Sequence, residues 1–243
     1  MTPDQWLEAL RREMAAVAAT SPQHLDREVP PCPGWTAHSV IAHTGAVHRW
    51  AAGALVGEKV PFTDQDAPAG EAVTGWYSDY ADKLVATLTS KDLDAPTKSL
   101  FGERPVRFWY RRQAQEVAVH RWDIEHAYRG WDADPIDAAL AADGIGEWSE
   151  LFTPRRIGRD GGTPEDLRGA RILLSANDTA GSWLLRADAD SIGIVDEGAA
   201  PDATITASTS DLLLALWHRV PLSRLTVDGD VARVQRVLDL VRI

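Results

Sequence analysis

Apolar and polar positions divide the chain into two regions with different periods. In the first region, apolar side chains recur every three or four residues, the spacing that gathers them on one face of a helix. Thr2 and Pro3 form a typical start of a helix, and Thr36 is a second N-cap. Helices are therefore predicted from Pro3 onward and over residues 37–55, 71–89, 106–128 and 135–152. The four main helices fit an antiparallel bundle.

The second region consists of short apolar runs separated by turn residues, which is typical of β-strands. Residues 153–164 lie between the two regions and have the composition of a linker. The predicted fold class is α plus α+β: a helical domain over residues 1–155 and a small α+β domain over 165–243. In the second domain, strands are predicted over residues 171–175, 183–186, 192–195, 203–206 and 225–227, and helices over 210–218 and 231–241.

Composition and charge narrow the classes of function. The 243 residues are 44% apolar and 25% charged, as expected of a globular protein with a full core. The net charge of −11 argues against a binder of nucleic acid or anionic membranes, because phosphate binding needs a cationic face. We see no membrane span and no signal peptide, and expect a cytoplasmic protein that is a monomer or a small homo-oligomer.

One predicted helix carries the most informative pair of residues, Glu116 and His120. A spacing of four places both side chains on one helix face, where they can bind the same divalent metal ion. The best third ligand is His43, on an earlier predicted helix. A set of two histidines and one glutamate leaves one coordination position of zinc open, which is the arrangement of a catalytic site.

The same residues allow interpretations without a metal. Arg112, Glu116, His120 and Asp123 form a polar stripe that either faces solvent or lines a polar cavity. In the first case Glu116 and His120 are an exposed pair that adds little to stability. His43 lies on a largely apolar helix, where a lone histidine is often a hydrogen-bonded core residue.

Two other histidines and the single cysteine are weaker candidates. His48 is an alternative ligand that could lie at a cavity mouth, and His38, in the first turn of its helix, is expected at the surface. Because Cys32 is the only cysteine, a disulfide within the chain and a zinc site of several thiolates are excluded. Cys32 is either a nucleophile or a structural residue of its Pro-rich loop, and the loop favours the structural role.

Several runs of residues resemble the maleylpyruvate isomerase family of mycothiol-dependent enzymes. The segment 32–36, Cys-Pro-Gly-Trp-Thr, followed by 40–43, Val-Ile-Ala-His, looks like the start of that family. The run 116–123 is similar to its second signature. The runs 211–219 and 227–230 resemble its small second domain, which is related to sterol-carrier folds. The resemblance therefore spans nearly the whole chain.

The resemblance implies a fold, a set of ligands and a thiol. It implies a DinB-like four-helix bundle as the first domain, with His43, Glu116 and His120 as metal ligands. It implies Zn²⁺ as the metal, mycothiol as the thiol cosubstrate, and an actinobacterial source. In the family an arginine of the second domain helps to hold an anionic substrate, and Arg219 is the best match by motif position, with Arg224 second.

The implied reaction follows from the ligand set. A thiol that binds zinc loses its proton, and the resulting thiolate can add to an electrophilic double bond. The enzyme is then an isomerase, or a transferase if the adduct is the product. Asp123 is predicted to orient a ligand or a water molecule. Arg112, Arg121 and Arg219 could contact a dicarboxylate substrate.

Two other functions stay open. One is a metal-dependent hydrolase that uses bound water with the same three ligands and needs no thiol. The other is a non-enzymatic protein whose second domain binds a small ligand, and in that case metal removal leaves ligand binding intact. The ligand set alone does not separate these functions, because one fold serves many reactions.

Overall fold

A computed structural model describes residues 1–196 and 200–242 of the chain. These residues form two compact units, the first over Met1–Asp134 and the second from Pro135 onward. The first unit is mainly helical, and the second contains a five-stranded sheet. The predicted fold class is therefore confirmed. Among the described residues, no helix is both long and apolar enough to cross a membrane.

The first unit contains four long helices, close to their predicted positions. Local sequence explains the ends: α1 begins with a capping box of Thr2 and Gln5, and α2 with one of Thr36 and Ser39. α2 ends at Gly57, whose left-handed conformation (φ 78°) suits a residue without a side chain. The helices are α1 (Pro3–Ala18), α2 (Ala37–Val56), α3 (Ala72–Thr89) and α4 (Val106–Arg129).

Helix α4 is the centre of the first unit, with α1 and α2 packed against it. Most of its 24 residues are buried, including apolar residues such as Val117 and Ile124 and polar ones such as Gln113 and Asp123. A helix buried on several sides places its polar groups either in contact with each other or in a cavity. The polar stripe on α4 therefore does not face open solvent.

A hairpin between α3 and α4 was not predicted. It consists of β1 (Pro96–Ser99) and β2 (Gly102–Pro105), which pair antiparallel. Each strand has four residues, includes a proline and shows little apolar alternation, so the period-2 signal is absent. The hairpin is tied to α4, since Trp109 Nε1 donates a hydrogen bond to Thr97 Oγ1 at 2.9 Å.

The second unit is built on one sheet with the strand order β5-β4-β3-β6-β7. β3 and β6 are parallel, and the other neighbours are antiparallel. Alternate residues of β3, such as Ile172 and Leu174, face the core, as the apolar pattern predicts. The strands are β3 (Arg171–Ala176), β4 (Ser182–Ala187), β5 (Ile192–Val195), β6 (Ala203–Ala207) and β7 (Thr226–Gly229).

The described residues of the second unit include four α-helices, and two of them correct the prediction. The single helix predicted over 135–152 is α5 (Ala138–Glu147) followed by a π-helical turn at Trp148–Phe152. The predicted linker begins with a helix, α6 (Thr153–Arg159). Its Pro154 lies in the first turn, where proline is tolerated, and Ile157 is buried, so composition alone was misleading. The other two are α7 (Thr209–Leu216) and α8 (Val231–Leu238).

The compact units divide before α5, earlier than the predicted division between residues 155 and 165. The sequence places its strongest change of period after residue 153, because α5 still has a helical pattern. Helix α5 packs against α7 of the second unit, which explains why it belongs there.

Candidate metal centre

The structure brings His43, Glu116 and His120 together. His43 projects from α2, and the other two residues project from α4, one turn apart. In the described part of the chain these three form the one cluster of potential ligands whose atoms all lie close enough for a single metal ion, within 4.8 Å of one another. The three side chains are largely buried, with 13 to 21% of their surface exposed.

One carboxylate oxygen of Glu116 is the meeting point of the cluster. Oε1 lies 3.4 Å from His43 Nε2 and 3.4 Å from His120 Nε2. The two imidazole rings are 5.1 Å apart between centroids and nearly perpendicular. Two imidazole nitrogens and one carboxylate oxygen therefore converge on one small volume, and these are the ligand types that zinc prefers.

Asp123 fixes the orientation of His120. His120 Nδ1 donates a hydrogen bond to Asp123 Oδ2 at 3.0 Å, and the carboxylate is fully buried. Because an ionised carboxylate only accepts hydrogen bonds, the ring proton belongs on Nδ1 and leaves the Nε2 lone pair directed to the cluster. A carboxylate behind a ligating histidine is a frequent feature of metal sites.

Arg112 fixes the orientation of Glu116 in a similar way. Its Nη2 donates to Glu116 Oε2 at 2.5 Å, one turn back on α4. The pairing occupies one carboxylate oxygen and leaves the other, Oε1, beside the two histidines. Arg112 was expected among possible substrate contacts, but in the structure its guanidinium is paired with Glu116.

The charges in the cluster shift two pKa values in opposite directions. Burial acts to raise the pKa of Glu116, but hydrogen bonds with His120 and His43 and the charge of Arg112 hold it well below its usual range. Burial acts to lower the pKa of His120, but Asp123 and Glu116 raise it to about 9. The cluster therefore has a strong affinity for positive charge.

The hydrogen-bond pattern shows why positive charge is needed. In a neutral His120 with its proton on Nδ1, Nε2 is an acceptor that faces Glu116 Oε1, which is also an acceptor. Two facing acceptors repel each other unless a proton or a metal cation lies between them. The donor set therefore fits a divalent cation, and the raised pKa of His120 shows that a proton can take its place.

The interpretation of Glu116 and His120 as an exposed pair is wrong, because both side chains are largely buried. The expectation that His48 could lie at a cavity mouth is also wrong, since His48 is fully buried. His48 Nδ1 contacts Gln113 Oε1 at 2.9 Å, and Nε2 contacts the Tyr77 hydroxyl at 3.4 Å. Burial lowers the pKa of His48 to about 4, so this ring is neutral.

Other candidate residues have definite places in the structure. His38 is half-buried, and its Nε2 contacts the carbonyl oxygen of Pro68 at 3.0 Å. Cys32 lies beside the cluster, with its thiol 3.8 Å from Asp123 Oδ2. This contact joins residues far apart in the sequence, and no local pattern could have indicated it.

The arginines expected to contact substrate are in different environments. Arg121 is buried and paired with Glu13 at 2.7 Å and Glu125 at 3.2 Å, so its expected role as a dicarboxylate contact is not supported. Arg219 lies in the second unit, half-buried after α7, and its Nη1 donates to the carbonyl oxygen of Trp217 at 2.9 Å. Arg224 is exposed.

Aromatic residues beside the cluster were not predicted as site residues. The ring of His43 meets Trp35 edge-on at 5.0 Å and Phe62 at 5.5 Å between centroids. Trp35 belongs to the Cys-Pro-Gly-Trp-Thr segment, residues 32–36, but Phe62 lies in an irregular segment without a periodic pattern. Only the folded chain brings these rings to the cluster.

Comparisons with known proteins agree with this architecture. The family model described as the mycothiol maleylpyruvate isomerase N-terminal domain matches residues 6–125, and the model for the C-terminal domain of the same family matches 139–236. The two matched segments lie within the two compact units of the structure. No curated protein is similar enough to this chain to count as a match.

Solved structures show the same fold. A mycothiol-dependent maleylpyruvate isomerase aligns with a TM-score of 0.63 and 15% sequence identity over 95% of each chain. A histidine-to-alanine mutant of a mycothiol-dependent maleylpyruvate isomerase aligns with a TM-score of 0.63 and 13% identity over 95% of each chain. From both family models together with this shared fold, we conclude that the chain belongs to the mycothiol-dependent maleylpyruvate isomerase family of enzymes.

Proposed function

We propose that this chain is a zinc-dependent enzyme that uses mycothiol, as a thiolate, to attack a small electrophilic substrate. Family membership supports a thiol-dependent isomerase activity. The finer proposal rests on one observation: His43 Nε2, Glu116 Oε1 and His120 Nε2 converge within 4.8 Å, with the other ring nitrogen of His120, Nδ1, bonded to Asp123. We expect the enzyme to act in the cytoplasm, as a monomer or a small homo-oligomer.

The three converging residues are the proposed zinc ligands. Zinc held by two neutral imidazoles and one carboxylate would keep a net positive charge and would favour the deprotonated form of a thiol at this centre. Asp123 keeps the imidazole of His120 in the tautomer that presents Nε2, and Arg112 keeps Glu116 Oε1 turned toward the histidines.

The reaction proceeds without net consumption of thiol. The thiolate sulfur forms a bond to one carbon of a conjugated double bond, and the π-electron pair moves to the adjoining carbonyl group. Rotation about the resulting single bond and cleavage of the C–S bond return the thiolate and give the geometric isomer. If the second carbon instead takes a proton from water, the thioether is the product, and the enzyme is an S-transferase.

Arg219 is proposed to hold an anionic group of the substrate. The proposal is based on its motif position in the family, and Arg219, a half-buried residue, has the charge that an anionic group needs. Substitution Arg219→Gln is expected to raise the KM for a carboxylate substrate more than it lowers kcat. A change in kcat alone, at unchanged KM, contradicts this role.

The decisive experiment measures metal and thiol dependence together. Zinc content is determined by plasma mass spectrometry for the purified protein and for His43→Ala, Glu116→Gln and His120→Ala, with His24→Gln as a control outside the cluster. About one zinc per chain, lost in the three variants and kept in the control, is the expected result. A folded, zinc-free protein that stays empty after reconstitution overturns the proposal.

The same samples separate a thiol-dependent enzyme from a hydrolase. Isomerisation of a maleic acid half-ester is followed with mycothiol present and absent, and ester hydrolysis is measured beside it. Turnover only with thiol supports the proposal. Metal-dependent ester hydrolysis without thiol instead identifies a hydrolase that uses bound water.

A further inference from the structure

Aromatic side chains form one side of the candidate metal centre. Trp35 and Phe62 both meet the ring of His43 edge-on, with centroid distances of 5.0 and 5.5 Å. Phe62 also meets Trp50 at 6.4 Å, and Trp50 meets Trp109 at 5.2 Å, so the aromatic contacts continue into the bundle. We call Trp35 and Phe62 the aromatic wall.

Phe62 is one of the exposed large apolar residues in the described part of the chain. It has 55% of its surface in solvent, although it touches a candidate metal ligand. A large apolar side chain that stays exposed beside a reactive centre gains free energy when a ligand covers it. The exposed ring is therefore available to an apolar part of a substrate.

The segment that carries Phe62 is held in place by its neighbours. Arg49 of α2 donates to the carbonyl oxygen of Thr63, directly after Phe62, and pairs with Asp66. His38 contacts the carbonyl oxygen of Pro68. These contacts attach the segment to α2, the helix of His43, so Phe62 has a defined position beside the centre.

Two arginines on the helices beside the aromatic wall already have partners. Arg112 is paired with Glu116, and Arg49 is paired with Asp66 and packs over the rings of Trp76 and Tyr80. The wall itself presents ring faces and edges rather than charge. Its chemistry thus suits a planar apolar group better than a second carboxylate.

We propose that Trp35 and Phe62 determine substrate choice by receiving a planar apolar group attached to the electrophilic double bond. The preferred substrate class is therefore an aryl-substituted or similarly apolar unsaturated acid derivative rather than a small dicarboxylate. This inference rests on the proposed function, since it assigns a substrate class to the same centre. One carboxylate at the far end of the substrate is compatible with it.

The test uses ligands that cannot react. Monobenzyl succinate and monomethyl succinate have the same single carboxylate and no double bond, and they differ in the aromatic ring. Their binding to the zinc-loaded and the metal-free protein is measured by calorimetry without thiol. The benzyl ester is expected to bind about tenfold more tightly, the size of effect that one aromatic contact can supply. Equal affinities for the two esters overturn the proposal.

Variants then locate the preference. Phe62→Ala and Trp35→Leu are expected to bring the affinity ratio of the two esters close to one, whereas Trp131→Ala, which removes an exposed aromatic ring outside the wall, keeps it. Circular dichroism and thermal unfolding confirm that each variant is folded. Since Trp35 is half-buried and could be needed for folding, Phe62→Ala alone decides the result. An unchanged ratio in folded Phe62→Ala contradicts the assignment.

The two proposals can fail separately. If the protein has no zinc and no thiol-dependent turnover but still prefers the benzyl ester, the aromatic wall is supported as a binding surface and the proposed reaction is contradicted. If the protein is a zinc enzyme that isomerises monomethyl and monobenzyl maleate with equal kcat/KM and binds both succinates equally, the proposed reaction is supported. The role of the aromatic wall is then contradicted.

Discussion

Two polar clusters join α2 to α4, and they differ in chemistry. In one cluster His43 of α2 meets Glu116 and His120 of α4, and in the other His48 of α2 meets Gln113 of α4. The pairing runs in opposite directions along the two helices, so they are antiparallel. Both clusters contain buried imidazole groups, yet burial lowers the pKa of His48 whereas charged neighbours raise that of His120.

The His48 cluster satisfies its own hydrogen bonds. The ring donates from Nδ1 to Gln113 and accepts at Nε2 from the hydroxyl of Tyr77, so no external charge is needed. Burial outweighs the hydrogen bond with Gln113, which acts to raise the pKa, and lowers the pKa of His48 to about 4. The other cluster directs acceptors at each other, and its His120 has a pKa of about 9. A polar cluster whose hydrogen bonds are all made within the cluster stabilises the fold, whereas a cluster whose acceptor atoms face each other needs a cation between them.

Metal removal is expected to give the largest difference between the clusters. A free zinc concentration of about 1,000 times the dissociation constant adds about 4 kcal/mol to the free energy of unfolding. Glu116→Gln should lose this increment, because the shared carboxylate charge is gone. His48→Asn should keep the full increment on a less stable protein. Urea unfolding with and without chelator measures both, and an equal zinc increment in wild type and Glu116→Gln contradicts the assignment of the cluster.

The pH dependence of the metal-free protein should separate the two histidines. The unfolded chain protonates His48 near pH 6.5, but the folded chain resists protonation down to about pH 4. Stability is therefore lost as pH falls from about 6.5 to 4, by about 3 kcal/mol for a shift of this size. His120, with its raised pKa, instead adds stability as pH falls from about 9 to 6.5.

Denaturant unfolding across the pH range checks this prediction. The difference in free energy of unfolding between wild type and His48→Asn isolates the contribution of His48 at acidic pH, because all other groups titrate in both proteins. We expect that difference to shrink steadily between pH 6.5 and 4. A difference that stays constant over this interval shows that His48 is not held neutral by burial.

A smaller effect is expected from Asp123→Asn. The amide keeps the size of the side chain but lacks the negative charge of the carboxylate that accepts the hydrogen bond from His120 Nδ1. Loss of such a partner behind a ligand typically costs about 10- to 100-fold in metal affinity or activity. Competition with a zinc-binding dye measures the affinity, and Asp134→Asn, an exposed aspartate in another ion pair, is the control. An affinity equal to wild type shows that Asp123 has no role at the centre.

The smallest effect is expected from Cys32→Ser. The thiol of Cys32 contacts Asp123 at 3.8 Å, and a thiol is a weak donor, so the hydroxyl can replace it. Zinc affinity and thiol-dependent turnover should stay within about threefold of wild type, the range of a substitution that removes no strong contact. A loss of turnover by orders of magnitude, at normal zinc content, identifies Cys32 as a participant in the reaction.

Sequence patterns alone determined much of the helical unit. Periodic apolar residues and the caps at Thr2 and Thr36 predicted α1 to α4 with ends close to those in the structure. These signals are local, because a helix satisfies its backbone within one segment and its caps act over three residues. The spacing of Glu116 and His120 is local for the same reason, and it placed both side chains on one face.

Tertiary structure decided what local spacing leaves open. His43 and His48 lie on the same helix, about 140° apart around its axis for five residues, and only the rotation of the packed helix determines which one faces Glu116. The hairpin Pro96–Pro105, the helix Thr153–Arg159 and the positions of Phe62 and Cys32 likewise depend on contacts with distant residues. The sequence by itself thus determined the four long helices of the first unit and the candidate ligands. Packing decided which polar groups converge with acceptor atoms facing each other and which satisfy each other's hydrogen bonds, because burial and long-range contacts are properties of the folded chain alone.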